Sequence, residues 1–100
     1  MIKAFLSSLL SPKVEARVLI QGFVSQENVY FLQNTIKQWG FPGRFRVLSK
    51  NLVQVELEGR QASVEAKLDQ LSRNPLLGAG RSINVTFAPS SGKYASFLVV

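Results

Sequence analysis

Residues 39–59, WGFPGRFRVLSKNLVQVELEG, carry the clearest fold signal in the chain, because they join the end of a helix to two alternating strands. Gly40 and Gly43 end the helix, since glycine adopts the left-handed conformation of a helix cap at little cost. The segment 49–51 indicates a tight turn, and we expect Asn51 to adopt the positive φ of such a turn. The stretch therefore predicts a helix that leads into a β-hairpin.

Alternation along the two strands separates their side chains into a core-facing row and an opposite row. The core-facing row is apolar and comprises Phe45, Val47, Val53, Val55 and Leu57. Arg44 and Arg46 lie in the opposite row, where we expect them to pair with Glu56 and Glu58 across the hairpin. We expect that row to face solvent. No two carboxylates in the sequence show the spacing of a catalytic acid/base pair.

The segments on either side of the hairpin show the same kinds of periodicity. Upstream, residues 15–21 alternate like a strand, and residues 29–39 repeat apolar side chains at the spacing of a helix. Downstream, residues 61–72 predict a second helix, and residues 82–87 and 96–100 predict two further strands. The residues predicted to face the core from the two helices are Val29, Leu32, Ile36, Val64, Leu68 and Leu71.

The order of these elements predicts an α+β fold of the ferredoxin-like α/β plait type, βαββαβ with a short C-terminal strand. We expect an antiparallel sheet with two helices on one face. The strands that begin near Glu15 and Leu52 are expected at its centre. Because this plait hosts many unrelated activities, function must be argued from particular residues.

Composition narrows the chemistry that the chain can perform. Its 100 residues are 46% hydrophobic and 18% charged, which suits one compact domain. With 0 Cys and 0 His, the sequence contains no thiol nucleophile, no Ser–His pair and no usual zinc ligand set. We therefore expect no metal and no cofactor. A net charge of +6, dispersed along the chain, suits solubility or an anionic partner.

The beginning of the chain predicts an extension rather than a membrane anchor. We assign residues 1–13 to an N-terminal extension and residues 14–100 to the domain. The apolar part of the extension is far shorter than the roughly 20 residues that span a bilayer. No small-x-small cleavage site follows it. We expect a cytoplasmic protein that does not bind membranes and is a monomer or a weak dimer.

Several motifs together resemble the acylphosphatase family over residues 17–100. Residues 39–43, WGFPG, resemble its helix-ending Leu-Gly-Leu-x-Gly, and residues 53–59, VQVELEG, resemble its Val-x-Val-x-x-x-Gly strand. The helix at 61–72 and the segment 97–99 fit the family's second half. The resemblance implies hydrolysis of acyl phosphates. In that family a Gln-Gly-Val-x-Phe-Arg loop wraps the phosphate, its Arg holds the phosphate, and an Asn on the second strand positions the attacking water.

The sequence departs from this family at both catalytic positions. In an ungapped alignment Val29 stands at the position of the loop Arg, and Val47 stands at that of the Asn. Glu27 adds a negative charge where a phosphate would approach the loop. The resemblance therefore implies a domain of this family whose catalytic residues are missing.

The candidate site residues are polar groups near the loop and two arginines on the second strand. The predicted ligand loop comprises Gln21, Gly22, Ser25, Gln26 and Asn28, and the predicted anion contacts are Arg44 and Arg46. The leading hypothesis is a binding or interaction module without acylphosphatase activity, for an unknown protein or a small anionic ligand.

Two alternatives remain open at this point. One is an active acylphosphatase in which Arg44 or Arg46 acts as a displaced cation. The other is a basic plait-fold protein that binds nucleic acid on its open sheet face. The second is disfavoured, because the third strand offers no aromatic side chain on which bases could stack.

Overall fold

The protein is described by a computed structural model that covers residues 11–22, 26–74 and 82–100. Its elements, in chain order, are β1 (Lys13–Gln21), α1 (Gln26–Gln38), β2 (Gly43–Ser49), β3 (Leu52–Arg60), α2 (Gln61–Ser72), β4 (Ser82–Pro89) and β5 (Phe97–Val99). The predicted succession of strands and helices is confirmed, and the α+β plait with it.

The five strands form one sheet in the order β4-β1-β3-β2-β5, so that β1 and β3 are central as predicted. The pairs β1–β3, β1–β4 and β2–β3 are antiparallel. The expectation of an antiparallel sheet is wrong for β5, which pairs in parallel with β2. The reason is topological: β4 runs opposite to β2, and the chain reverses direction before it enters β5 at the far edge.

Both helices lie on the same face of the sheet, where one core cluster joins them to the strands. The fully or nearly fully buried members of this cluster are Ala16, Val18, Ile20, Leu32, Ile36, Phe45, Val53, Val55, Leu57, Val64, Leu68 and Leu71. Val29 packs against the cluster and is only partly buried. The opposite face carries no helix in the described part of the chain, and we call it the open face.

The hairpin differs from prediction at its tip. Val47 lies on the helix side opposite buried Val53, yet it is 49% exposed. β5 extends the sheet beside β2 only as far as Phe45, so β2 beyond that point is a bare edge in the described structure. A register shift follows Val47, and no described residue other than glycine has a positive φ. The expected positive φ of Asn51 is therefore wrong. The shift in register between Val47 and Ser49 lets the chain turn without a left-handed residue at position 51.

The two glycines that follow α1 have different roles. Gly40 has a φ of 83°, and its N–H donates to the carbonyl of Lys37 at 3.3 Å, as expected of a residue that ends a helix. Gly43 instead begins β2, where an added Cβ would lie 1.9 Å from the backbone oxygen of Glu56. Only glycine allows β2 and β3 to approach so closely at this point.

The residues just before β1 are attached to the start of α2. The N–H of Gln61 donates to the carbonyl of Pro12 at 2.9 Å, and Arg60 donates to the carbonyl of Ser11 at 3.0 Å. The expectations for residues 1–10 lie outside the described residues. Within the described ranges, no helix is long and apolar enough to cross a membrane.

Candidate functional site

The predicted ligand loop lies where β1 ends and α1 begins. Gln21 is the exposed last residue of β1, and the hydroxyl of Ser82 donates to its Oε1 at 3.4 Å. The N–H of Gly22 donates to the carbonyl of Asn51 at 3.1 Å, which joins the loop to the β2–β3 turn. The structure thus places the start of the loop beside the tip of the hairpin.

The remaining loop candidates belong to the first turn of α1 or lie outside the described residues. Gln26 is exposed and Asn28 is half-buried, whereas Ser25 is not among the described residues. Glu27 is the acidic residue of this first turn, and the basic residue of the helix, Lys37, lies in its last turn. An anion at this helix start would therefore approach a carboxylate, with no cation of α1 nearby.

Arg44 and Arg46 project from β2 onto the open face, away from the side that carries the helices. Arg44 Nη2 donates to Glu56 Oε1 at 2.5 Å, which confirms that predicted pair. Arg46 Nη2 donates to Gln54 Oε1 at 3.1 Å, so its predicted pairing with Glu58 is wrong. The register explains the difference, since Arg46 lies directly opposite Gln54.

The open face contains a polar cluster that the sequence did not reveal. It consists of the strand residues Glu15, Arg44, Glu56 and Glu58 together with Ser90, Lys93 and Tyr94 from the β4–β5 connection. We call the connecting segment 90–96 the strap. Glu56 and Glu58 were expected to face solvent, but they are only 1% and 5% exposed. The strap covers them, and alternation in β3 had indicated only that they share a face.

Glu56 is held by three groups from two parts of the chain. Besides Arg44, the hydroxyl of Tyr94 donates to Glu56 Oε2 at 2.8 Å, and Lys93 Nζ lies 3.5 Å from the same oxygen. Burial alone would raise the pKa of this carboxyl, but hydrogen bonds from Tyr94 and Arg44 lower the pKa to about 2. Glu56 therefore remains ionised at neutral pH.

Glu58 fastens the strap through its two oxygens. Ser90 Oγ and the N–H of Gly92 donate to Oε2 at 2.5 and 2.9 Å, and the N–H of Tyr94 donates to Oε1 at 3.1 Å. The hydrogen bond from Ser90 is the largest cause of a lowered pKa for Glu58, and it outweighs the effect of burial. The carboxylate thus satisfies backbone groups of a loop that would otherwise lie over the sheet without partners.

This cluster is suited to holding structure rather than to acid–base chemistry. Its two buried carboxylates are ionised and already accept several hydrogen bonds, so neither has the near-neutral pKa of a general base. Burial is also the main cause of a raised pKa for Tyr94, which keeps its hydroxyl protonated as a donor. Within the described ranges, no group of three or more His, Cys, Asp or Glu residues is placed to hold a metal ion.

The cluster predicts a specific acid sensitivity. Because the pKa of Glu56 is lowered from 4.5 to about 2, its contribution to stability is present above pH 4.5 and is lost as the pH falls through about 2. A shift of this size corresponds to about 3 kcal/mol of unfolding free energy. Urea unfolding between pH 5 and pH 2 measures it, with Glu56→Gln as the comparison. An equally steep pH dependence in Glu56→Gln would contradict the assignment.

The fold matches solved structures, although no protein-family model and no curated protein matches the sequence. An acylphosphatase from Bacillus subtilis superposes with a TM-score of 0.67 at 18% identity, over 87% of this chain and 98% of that chain. An acylphosphatase from Coxiella burnetii superposes with a TM-score of 0.67 at 19% sequence identity, and the match covers 89% of this chain and 94% of that chain. Full-length HypF, in a phosphate- and nucleotide-bound form, superposes with a TM-score of 0.63 at 22% sequence identity. The match covers 89% of this chain but only 12% of that protein. The chain therefore has the acylphosphatase-like fold.

Proposed function

We propose that this chain is an acylphosphatase-like domain without acylphosphatase activity that acts as a binding or interaction module. The observation that carries the proposal is the placement of positive charge. The two arginines predicted as anion contacts, Arg44 and Arg46, project onto the open face, where they already donate to β3 side chains. The described start of α1 offers Glu27 and no cation.

The placement of Arg44 and Arg46 weighs against an enzyme with a displaced cation. A phosphate held by the N–H groups at the start of α1 would lie on the helix side of the sheet. A guanidinium that binds this phosphate must lie on the helix side of the sheet. Arg44 instead pairs with the buried carboxylate of Glu56 on the open face. Releasing Arg44 would leave Glu56 with less compensation in a buried position, which is unfavourable.

The open face is poorly suited to nucleic acid. Its centre carries Glu56 and Glu58 beneath the strap, and Glu15 lies beside them. Plait domains that bind RNA stack bases on aromatic side chains of the two central strands, and the described open-face positions of β1 and β3 hold none. The ligands in the HypF structure belong to a protein of which this chain matches about an eighth, so they do not transfer here.

A protein partner fits the exposed apolar side chains along β2 and β5. Val47, Leu48, Leu98 and Val99 are between 42% and 52% exposed, although each is a large apolar residue in a strand. All four lie in the two strands at one end of the sheet, and exposed apolar surface at such an edge is available to a protein partner. We therefore favour a protein over a small anion as the partner of this module.

Phosphate titration followed by amide chemical shifts tests the proposal. We expect no saturable shift at Gly22 or at the amides of residues 26–29, because no cation of the described loop region complements the anion. The matched variant carries Val29→Arg, Val47→Asn and Glu27→Gly, which restores the charge pattern of the family. A saturable response of the unmodified chain at these amides would favour the active-enzyme alternative.

A further inference from the structure

Strand β4 forms one edge of the sheet, and its sequence lacks the usual protection of an edge strand. It is eight residues long, SINVTFAP, and contains no charged residue. In the described structure it pairs with β1 on one side, and no strand pairs with its other side. Its register with β1 is unbroken, and its proline is the last residue. Charges, bulges and interior prolines normally protect such edges, and β4 has none of them.

The register identifies the backbone groups that face outward from this edge. The N–H of Ser90 donates to the carbonyl of Lys13, and hydrogen-bonding pairs alternate along an antiparallel ladder. The same alternation directs Ser82, Asn84, Thr86 and Ala88 toward β1. The N–H and C=O groups of Ile83, Val85 and Phe87 therefore point away from the sheet. Pro89, which has no N–H to offer, occupies the outward position at the end of the strand.

These outward groups are complementary to a second copy of themselves. If two β4 strands lie antiparallel with Val85 opposite Val85, Ile83 of each copy lies opposite Phe87 of the other. All three outward residues then exchange both of their backbone hydrogen bonds, about six in all. The side chains of these residues share the helix side of the sheet, and Phe87 is 39% exposed there. The pairing would bring Phe87 against Ile83, an aromatic and β-branched pair that favours adjacent strands.

We propose that β4 pairs with β4 of a second copy of this chain, which would join the two sheets around a two-fold axis. The strand offers no charge that could select an acidic or a basic peptide, but it matches its own length, hydrogen-bonding pattern and apolar row. The closed two-fold arrangement uses both β4 edges and so stops at a dimer. Each copy carries +6, so added salt should strengthen the pairing by screening this repulsion.

Sedimentation equilibrium at several concentrations and two salt concentrations measures the pairing. We expect a monomer–dimer equilibrium that shifts toward dimer with salt. Phe87→Lys should raise the dimer dissociation constant by roughly tenfold or more. The change removes both Phe87–Ile83 pairs of the dimer and places a charge on the edge of each sheet. Asn34→Lys, on the exposed side of α1, adds the same charge elsewhere and should leave the dimer intact. Circular dichroism confirms that both variants are folded.

Cross-linking tests the register without altering the charge. The chain has 0 Cys, so Val85→Cys introduces a single thiol at the proposed two-fold axis. We expect a short thiol-reactive cross-linker to give a covalent dimer with Val85→Cys and not with Asn34→Cys. A chain that stays monomeric at several hundred micromolar in high salt would overturn the proposal. So would a dimer that Phe87→Lys leaves unchanged or that residue 85 does not cross-link.

Discussion

Benzoyl phosphate is expected to hydrolyse no faster in the presence of this protein than in buffer alone. The transition state of acyl-phosphate hydrolysis needs a cation on the phosphate and a group that orients water. In an ungapped alignment with the acylphosphatase motifs, Val29 and Val47 stand at the positions of these two groups. Loss of one preorganised electrostatic group costs on the order of a hundred- to a thousand-fold in rate. Absence of the phosphate-holding arginine also removes ground-state affinity, since its bidentate contacts are hard to replace.

The assay follows the disappearance of benzoyl phosphate, with an acylphosphatase that has both residues as the positive control. If the unmodified chain hydrolyses benzoyl phosphate, the variants Arg44→Ala and Arg46→Ala show whether either arginine supplies the cation. Hydrolysis by the unmodified chain that either substitution abolishes would overturn the inactive-domain proposal and assign the missing cation to β2. The variant with Val29→Arg, Val47→Asn and Glu27→Gly shows in the same assay whether the family residues alone restore turnover.

Glu58→Ala is expected to lower the unfolding free energy by about 3 kcal/mol, because buried donors lose their acceptor. The side chain is 5% exposed and accepts hydrogen bonds from Ser90, Gly92 and Tyr94. Its removal leaves two backbone N–H groups of the strap without their acceptor and releases the segment that leads into β5. Chemical denaturation by urea, followed by tryptophan fluorescence of Trp39, measures the change.

Two further substitutions separate charge from packing. Glu65→Ala removes an exposed carboxylate from α2 and should change stability by less than about 0.5 kcal/mol. Glu58→Gln retains the size of the side chain but loses the charge, and we expect an intermediate loss. If Glu58→Ala destabilised the protein no more than Glu65→Ala, the strap would be held by other contacts and the structural role of Glu58 would be wrong.

The candidate site was only partly visible in the sequence. The absence of a loop arginine could be seen directly, because a missing residue type needs no structure to be recognised. The pairing of Arg44 with Glu56 also followed from alternation across one hairpin. Arg46 was assigned the wrong partner: in an antiparallel pair with Arg44 opposite Glu56, the residue opposite Arg46 is Gln54, and Glu58 lies in the other direction along β3.

Periodicity in the sequence sufficed for the number, type and order of the elements, and for the residues of α1 and α2 that face the core. Those properties depend on neighbours within a few positions, where the 3.6-residue and two-residue repeats operate. Tertiary structure alone settled the burial of Glu56 and Glu58, the parallel entry of β5, and the bare edges of β2 and β4. Each depends on contacts between distant segments: Tyr94 reaches Glu56 across 38 positions of the chain, a separation that no local pattern records.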